Sequence, residues 1–336
     1  MSNRTKLSYQ TIAERSGLSI ATISRVFNRS QSVSDEKRAR VIQALRELGV
    51  DPSTLDLRPQ PRNNMLIFNV PSLKNPFYSP IIEASRRTAK RFGYNLVVNE
   101  NPLGTDLQSF IDLIRTSRAA GVILTNAIVP ETVETIRQVV PVVTCCESAT
   151  TAGVPYVTVD DESASENAVK YLISLGRRRI ALINGPAEFK YSKERYKGYR
   201  NALVSHGFAI DDDIICAVGA DMDYDIAVAN VTRMLSQPGR PDAFFCISDV
   251  LACAAIKASL AAGLRVPQDV AVVGFDNIQF SRMMNPTITT VCQPFDQLGT
   301  LAVEMLVRVI NGDDEHIESI HLGCELMIRE STSIFR

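Results

Sequence analysis

Polar and aromatic residues gather where apolar, strand-like runs of this sequence end. Phe77 and Tyr78 follow "LIFNVPSLK", Glu147 follows "VVTCC", and Phe189, Tyr191 and Arg195 follow "ALINGP". Ser248 and Asp249 follow "DAFFCI", Asp276 follows "VAVVGF", and Gln293 follows "TITTVC". A guanidinium fork, carboxylates, an amide and aromatic faces suit a small hydroxylated ligand, held by hydrogen bonds and ring contact. Each residue also has an ordinary structural use: Phe77 and Tyr78 as packing at a helix start, Arg195 in an ion pair, Asp249 or Asp276 as a helix cap. Catalysis has less to work with. There are three histidines (206, 316 and 321), without metal-ligand spacing around them. No G-x-S-x-G elbow occurs, no G-x-G-x-x-G opens a helix after a strand, and no G-x-x-x-x-G-K-[ST] is present. The seven cysteines form no C-x-x-C pair and sit in apolar contexts, which suggests buried free thiols. No metal, no cofactor and no enzymatic activity are therefore expected.

The elements that must position these groups alternate. From residue 65 onward, buried-strand runs such as "MLIFNV", "GVILTN", "RIALING" and "VAVVGFD" are separated by amphipathic stretches such as "FYSPIIEASRRTAKRFG" and "ASENAVKYLISLG". This is βαβ spacing, and two such series, the second starting near 157, predict two doubly wound parallel-sheet lobes. Ligands in such sheets sit beyond the carboxyl ends of the strands, where the residues above fall.

A different pattern precedes the body. "LSYQTIAERSGLSIATISRVFN" predicts two short helices capped by Ser8 and Ser19, with Gly17 between them and Ile23, Val26 and Phe27 facing inward. Ser34 caps a third, with Val41, Ile42, Leu45 and Leu48 as its apolar stripe. Residues 1–62 carry eleven Lys/Arg against six Asp/Glu, while the remainder is acidic. A basic three-helix head fits a helix-turn-helix DNA reader, a protein-interaction module being the plainer alternative. In the DNA reading, Ala21 and Thr22 allow close approach to base edges and Arg25 contacts guanine or phosphate. Arg29, Lys37, Arg38 and Arg40 suit the phosphate backbone. Composition is that of an ordinary globular protein, with no membrane-length apolar run and no apolar core of a signal peptide, so a cytoplasmic location is expected.

These stretches resemble the LacI family of transcriptional regulators. "TIAERSGLSIATISRVFN" with "VSDEKRARVIQALRELG" matches the family's head, and "NPFYSPII", "ERYKGYRNAL", "VAVVGFDN" and "CELMIREST" match its body, so the resemblance covers nearly the whole chain. It implies an all-α helix-turn-helix head on a type I periplasmic-binding-protein-like α/β body. The boundaries would be 1–50 for the head, 51–64 for the hinge and 65–336 for the effector-binding and dimerisation core. Lobe 1 would take about 65–161 and 293–321, and lobe 2 about 162–292 and 322–336, because the chain crosses between lobes three times. The implied function is a homodimeric repressor on palindromic double-stranded operator DNA, with a sugar-like effector or, alternatively, a nucleoside or nucleobase. The other classes left open are a stand-alone small-molecule-binding protein and an α/β enzyme with a helical head.

Residue by residue, the resemblance implies DNA contacts from Ser19, Ile20, Ala21, Thr22, Ser24, Arg25, Asn28 and Arg29, with Ile20 and Ala21 choosing bases. It implies effector contacts from Phe77, Arg195, Asp276 and Gln293, and from Met222 where some members carry an aromatic. The hinge departs from the family: "DPSTLDLRPQPRNN" carries Pro59 where a wedge leucine would fall. Proline disfavours a hinge helix, so 51–64 is expected to be extended, with at most one turn around 53–58. Leu55 or Leu57 would replace the wedge, and Arg58 and Arg62 would hold phosphate.

Overall fold

A computed structural model describes residues 8–27, 33–55, 57, 64–104, 106–127, 129–148, 153–312 and 317–333. The head is α1 (Tyr9–Ser16), α2 (Ile20–Phe27) and α3 (Asp35–Glu47). Ser8 Oγ accepts from the Thr11 N–H at 3.1 Å and starts α1, and Gly17, at φ 65°, ends it. Ser19 Oγ accepts from the Thr22 N–H at 3.2 Å and starts α2. Ile12, Ile23, Val26, Val41 and Leu45 are buried together as the head's core.

Two head arginines differ from their sequence assignment to phosphate. Arg40 Nη2 donates to the Ser16 carbonyl at 2.8 Å, closing the carboxyl end of α1. Arg38 is buried, and its guanidinium donates to the Leu57 carbonyl. Arg38 is turned inward by this contact, while Arg40 keeps an exposed side chain. The hinge differs as well. Its turn is a 3-10 turn over Pro52–Thr54, started by Asp51 Oδ1 accepting from the Ser53 N–H at 2.9 Å. Leu57 is buried in the head's core and Leu55 lies half-buried against it, so in this conformation neither side chain is held out as a wedge. Arg58 and Arg62, like Asn28 and Arg29, lie outside the described residues.

The body begins with β1 (Met65–Val70), α4 (Tyr78–Arg91), β2 (Asn95–Glu100), α5 (Leu107–Ser117), β3 (Gly121–Leu124), α6 (Pro130–Arg137), β4 (Val142–Cys145) and β5 (Tyr156–Val159). Then come α7 (Asp161–Ser174), β6 (Ile180–Asn184), α8 (Lys190–Ser205), β7 (Ile215–Ala217), α9 (Tyr224–Leu235), β8 (Ala243–Cys246), α10 (Asp249–Ala261), β9 (Ala271–Asp276), α11 (Phe280–Met283) and β10 (Thr289–Cys292). Last are α12 (Phe295–Ile310), β11 (Ile320–Leu322) and β12 (Glu325–Met327).

Among the described residues, one sheet has the order β11-β5-β4-β3-β1-β2 and the other β12-β10-β9-β8-β6-β7, parallel throughout except that β12 runs antiparallel to β10. The first sheet buries one face under α4 and α12 and the other under α5 and α6. The second is likewise covered on both faces, which is why its strands are near-continuous apolar runs. The chain passes between sheets after β5, after β10 and between β11 and β12. Leu322 still pairs with Val159 in the first sheet, so the last crossing comes one residue beyond the boundary suggested by the sequence. No helix among the described residues is long and apolar enough to cross a membrane.

Two glycines set helix spacing. A Cβ on Gly198 of α8 would lie 2.2 Å from the Glu162 carbonyl oxygen of α7, and one on Gly299 of α12 would lie 2.5 Å from that of Ile81 in α4. Both neighbours are backbone and cannot turn aside. Gly198→Ala is therefore expected to cost about 1–3 kcal/mol through a forced shift of α8, read as a lowered denaturation midpoint. An unchanged midpoint would mean that α7 and α8 are not packed this closely in solution.

Candidate functional site

The carboxyl ends of strands from both sheets converge on one cleft. From the first lobe, Asn75, Phe77 and Tyr78 come after β1, Thr125 after β3, and Cys146 and Glu147 after β4. Val159 and Asp161 stand at the first crossing and Gln293 at the second. The second lobe supplies Tyr191 and Arg195 from α8, Met222, Ile247 after β8, and Asp276 at the end of β9.

Arg195 is the centre of this arrangement. Its side chain is almost wholly buried, with Nε 2.8 Å from Asp161 Oδ1 and Nη1 donating to the Ile247 carbonyl at 2.5 Å. Nη1 is also 3.6 Å from Asp276 Oδ1. The guanidinium carbon lies 3.6 Å from the centroid of the Phe275 ring and 5.3 Å from that of Tyr191. Asp161 Oδ2 takes a second cation, Lys190 Nζ, at 2.9 Å, and Lys190 also donates to the Val159 carbonyl at 3.2 Å. Burial pulls both cations towards neutrality, but the facing carboxylates more than offset it, so both stay charged.

The carboxyls opposite behave differently. Burial pushes Asp276 up to about 7 even though Arg195 and the Gln293 amide, which donates to Asp276 Oδ1 at 2.7 Å, pull it down. Burial also pushes Glu147 up to about 7, against the Lys190 backbone N–H that it accepts at 3.0 Å. Burial raises the Tyr191 phenol too.

The end of β9 carries strain. Asp276 has φ 105° and Asn277 φ 60°, both unfavourable for a residue with a Cβ. Asp249 Oδ2 holds the turn from one side by accepting the Ile278 N–H at 2.8 Å. Thr290 Oγ1 accepts the Asn277 N–H at 3.2 Å, and Arg329 Nη2 donates to Asn277 Oδ1 at 2.7 Å. The turn aims the Asp276 carboxyl at Arg195.

Three sequence-assigned residues fall outside the lining. Ser248 Oγ caps α10, accepting from the Leu251 N–H at 3.3 Å. Asp249 is buried behind the site as the tie just described, and burial, with Asp276 nearby, pushes its carboxyl well above the usual range. Phe189 packs its ring 5.1 Å from that of Tyr191, tilted by 36°. Phe77, Tyr78, Glu147, Tyr191, Arg195, Met222, Asp276 and Gln293 do line the cleft. Sequence reasoning missed Asp161 and Lys190. Asp161 follows a strand-like run, the signal used elsewhere, but "VTVDD" offers two aspartates. Asp160 takes the cap of α7 by accepting from the Ser163 N–H at 2.9 Å, while Asp161 turns inward.

The space left at the centre of the cleft is about 20 Å³ for the centre of a water-sized sphere, on the order of one water rather than a sugar ring. Arg195, Asp161, Asp276 and Gln293 are meanwhile paired with one another. A ligand must part the lobes and exchange its own hydroxyls or N–H groups for these internal partners. On the head, Ser19, Ile20, Ala21 and Arg25 are exposed along one side of α2, while Thr22 and Ser24 are half-buried. Ile20 is 52% exposed.

A family profile described as bacterial regulatory proteins, lacI family, matches residues 9–53. A second, described as periplasmic binding proteins and sugar binding domain of LacI family, matches residues 63–330. The HTH-type transcriptional repressor CytR of Escherichia coli (strain K12) is 32% identical, covering 98% of this chain and 97% of its own. The ribose operon repressor of Haemophilus influenzae is 30% identical over 95% and 97%. Among solved structures, the complex of the transcriptional regulator CelR with cellobiose superposes with a TM-score of 0.72 at 29% identity, covering 97% of this chain and 100% of that one.

Asp161 and Asp160 separate charge pairing from capping. Asp161→Ala leaves two buried cations short of a partner and is expected to cost about 3–5 kcal/mol. Asp160→Ala removes a cap and is expected to cost about 1 kcal/mol. Denaturant unfolding of both variants checks the order, and equal costs would contradict it.

Proposed function

The chain belongs to the LacI family of bacterial regulatory proteins, and from that premise we propose a homodimeric repressor whose hold on operator DNA is set by a sugar-like effector in the cleft. The observation that carries the effector half is the cluster of Arg195, Asp276 and Gln293: a donor fork, an acceptor and an amide at one point between the lobes. A vicinal diol can accept from Arg195, donate to Asp276 and lay a ring face on Phe77 or Tyr191. A nucleobase is less well served, because Phe189, one of the three rings that could stack on it, is not in the lining. Sugar chemistry is also what the printed names of two relatives carry, ribose in one and cellobiose in the other. The cleft acts as a binding site rather than a catalytic one, and the protein works in the cytoplasm, where its DNA is.

On DNA, the start of α2 enters the major groove. Ile20 and Ala21 select bases by methyl contact and shape, Ser19, Thr22 and Ser24 approach the groove walls, and Arg25 reaches guanine or phosphate. Asn28 and Arg29 extend that contact along the backbone. Two heads on a twofold dimer read a palindrome. Exposed Phe280 and Met283 border a recess shared with Ser79, Pro80 and Glu83 at the start of α4, which supports that face as part of the dimer surface. Effector binding loosens the hold on DNA.

A gel shift on the DNA upstream of the chain's own gene, with and without pentoses, hexoses, disaccharides and nucleosides, tests this. A shift at low salt that one sugar releases is expected. Arg25→Ala is expected to weaken it by about tenfold. No shift on any palindromic site, or a shift that only nucleosides release, would overturn the corresponding half of the reading.

A further inference from the structure

Helix α8 carries Tyr191 and Arg195 into the cleft but brings no side-chain cap of its own, since its N-cap position is Phe189. The missing acceptor comes from the other lobe. Glu147, on the loop after β4, places Oε2 3.0 Å from the Lys190 N–H at the first position of α8. Its backbone is built for this reach. Cys146 takes φ 70° and turns the chain towards the second lobe. Thr158 Oγ1 donates to the Cys146 carbonyl at 3.1 Å, and Thr144 Oγ1 donates to the Glu147 carbonyl at 2.9 Å, pinning the turn from two strands. Glu147 is 6% exposed, and its other oxygen, Oε1, is buried without a hydrogen-bond partner. It forms a wall between the cleft and a polar recess outside it, which Ser148, Lys193 and Glu194 also line.

We propose that Glu147 is a positioning residue: it caps α8 across the cleft, and closing the lobes over Tyr191 and Arg195 therefore takes up a proton at its carboxyl. A buried carboxyl with one oxygen unpaired is poorly served as an anion. As a neutral acid it keeps the Lys190 contact through one oxygen and holds its proton on the other.

The groups facing it set the sign. Within the first lobe these are the neutral Tyr78 phenol and Cys146 thiol, and at the crossing the Asp161 carboxylate. From α8 and the turn before it come Lys190, Tyr191, Lys193, Glu194 and Glu188. Desolvation dominates and Asp161 adds to it, while the Lys190 and Tyr191 backbone N–H groups and the Lys190 ammonium oppose it, leaving the carboxyl at about 7 against an ordinary 4.5. A raised value means that this part of the closed form's stability is fully present below about 4.5 and is lost as pH rises through about 7.

Hydrogen exchange of the full chain, followed on the segment containing Lys190 and Tyr191, tests this without DNA or ligand. It is therefore independent of the repressor reading. Rates are divided by those of the unstructured peptide at each pH to remove base catalysis. Wild-type protection there is expected to fall by about tenfold between pH 6 and pH 8. Glu147→Gln, neutral and able to accept from Lys190, is expected to show the same protection at both values, no lower than that of the wild type at pH 6. Glu147→Ala is expected to lose it at both, and a thermal melt shows that the variant is folded. Wild-type protection that does not change with pH, or a Gln variant that follows the wild-type course, would overturn the proposal.

Discussion

A buried guanidinium cannot stand alone in a protein interior, and much of the cleft follows from keeping Arg195 paired. Asp161 must leave the cap of α7 to its neighbour and turn inward. The end of β9 must take two positive φ values to present Asp276, and Asp249, Thr290 and Arg329 must hold that turn. Gln293 must arrive from the second crossing to satisfy Asp276. Asp161 and Gln293 lie at the first two lobe crossings, so the charge network reaches the junction between the lobes. Arg195 and Asp276 belong to the second lobe, and Asp161 and Gln293 connect them to the two crossings.

The rule that ligands gather beyond strand ends brought most of the cleft into view from sequence alone, and strand–helix alternation indicated two lobes. The rule failed where two candidates stood side by side. It named Ser248 and Asp249, which follow a strand but are consumed by a helix cap and a turn, and it passed over Asp161, hidden behind Asp160. Chain order does not distinguish a residue that caps a helix from one that turns under it. That depends on packing between α7 and α8, which is spaced by a single glycine. Lys190 was missed for a similar reason, since a lysine on an amphipathic helix is ordinarily solvated.

The head offers a parallel lesson. Charge composition identified a basic unit, and cap residues placed its helices. What composition could not tell was that Arg38 and Arg40 serve the head's own carbonyls and that Leu57 belongs to its core. The segment after α3 is thus tied back onto the head instead of running free from it.

The central claim is that Asp276, through its place in the Arg195 network, lets the cleft respond to a ligand without taking part in DNA binding. The most direct measurement is operator affinity of Asp276→Asn beside the wild type, with and without the sugar that releases the wild type. Asparagine keeps the volume and the bond from Gln293 but not the charge facing Arg195. The expected result is unligated operator affinity within about twofold of wild type, with the response to the sugar lost or shifted to much higher concentration. A variant that still releases DNA at the same sugar concentration, or that has already lost its hold on DNA, would contradict the account.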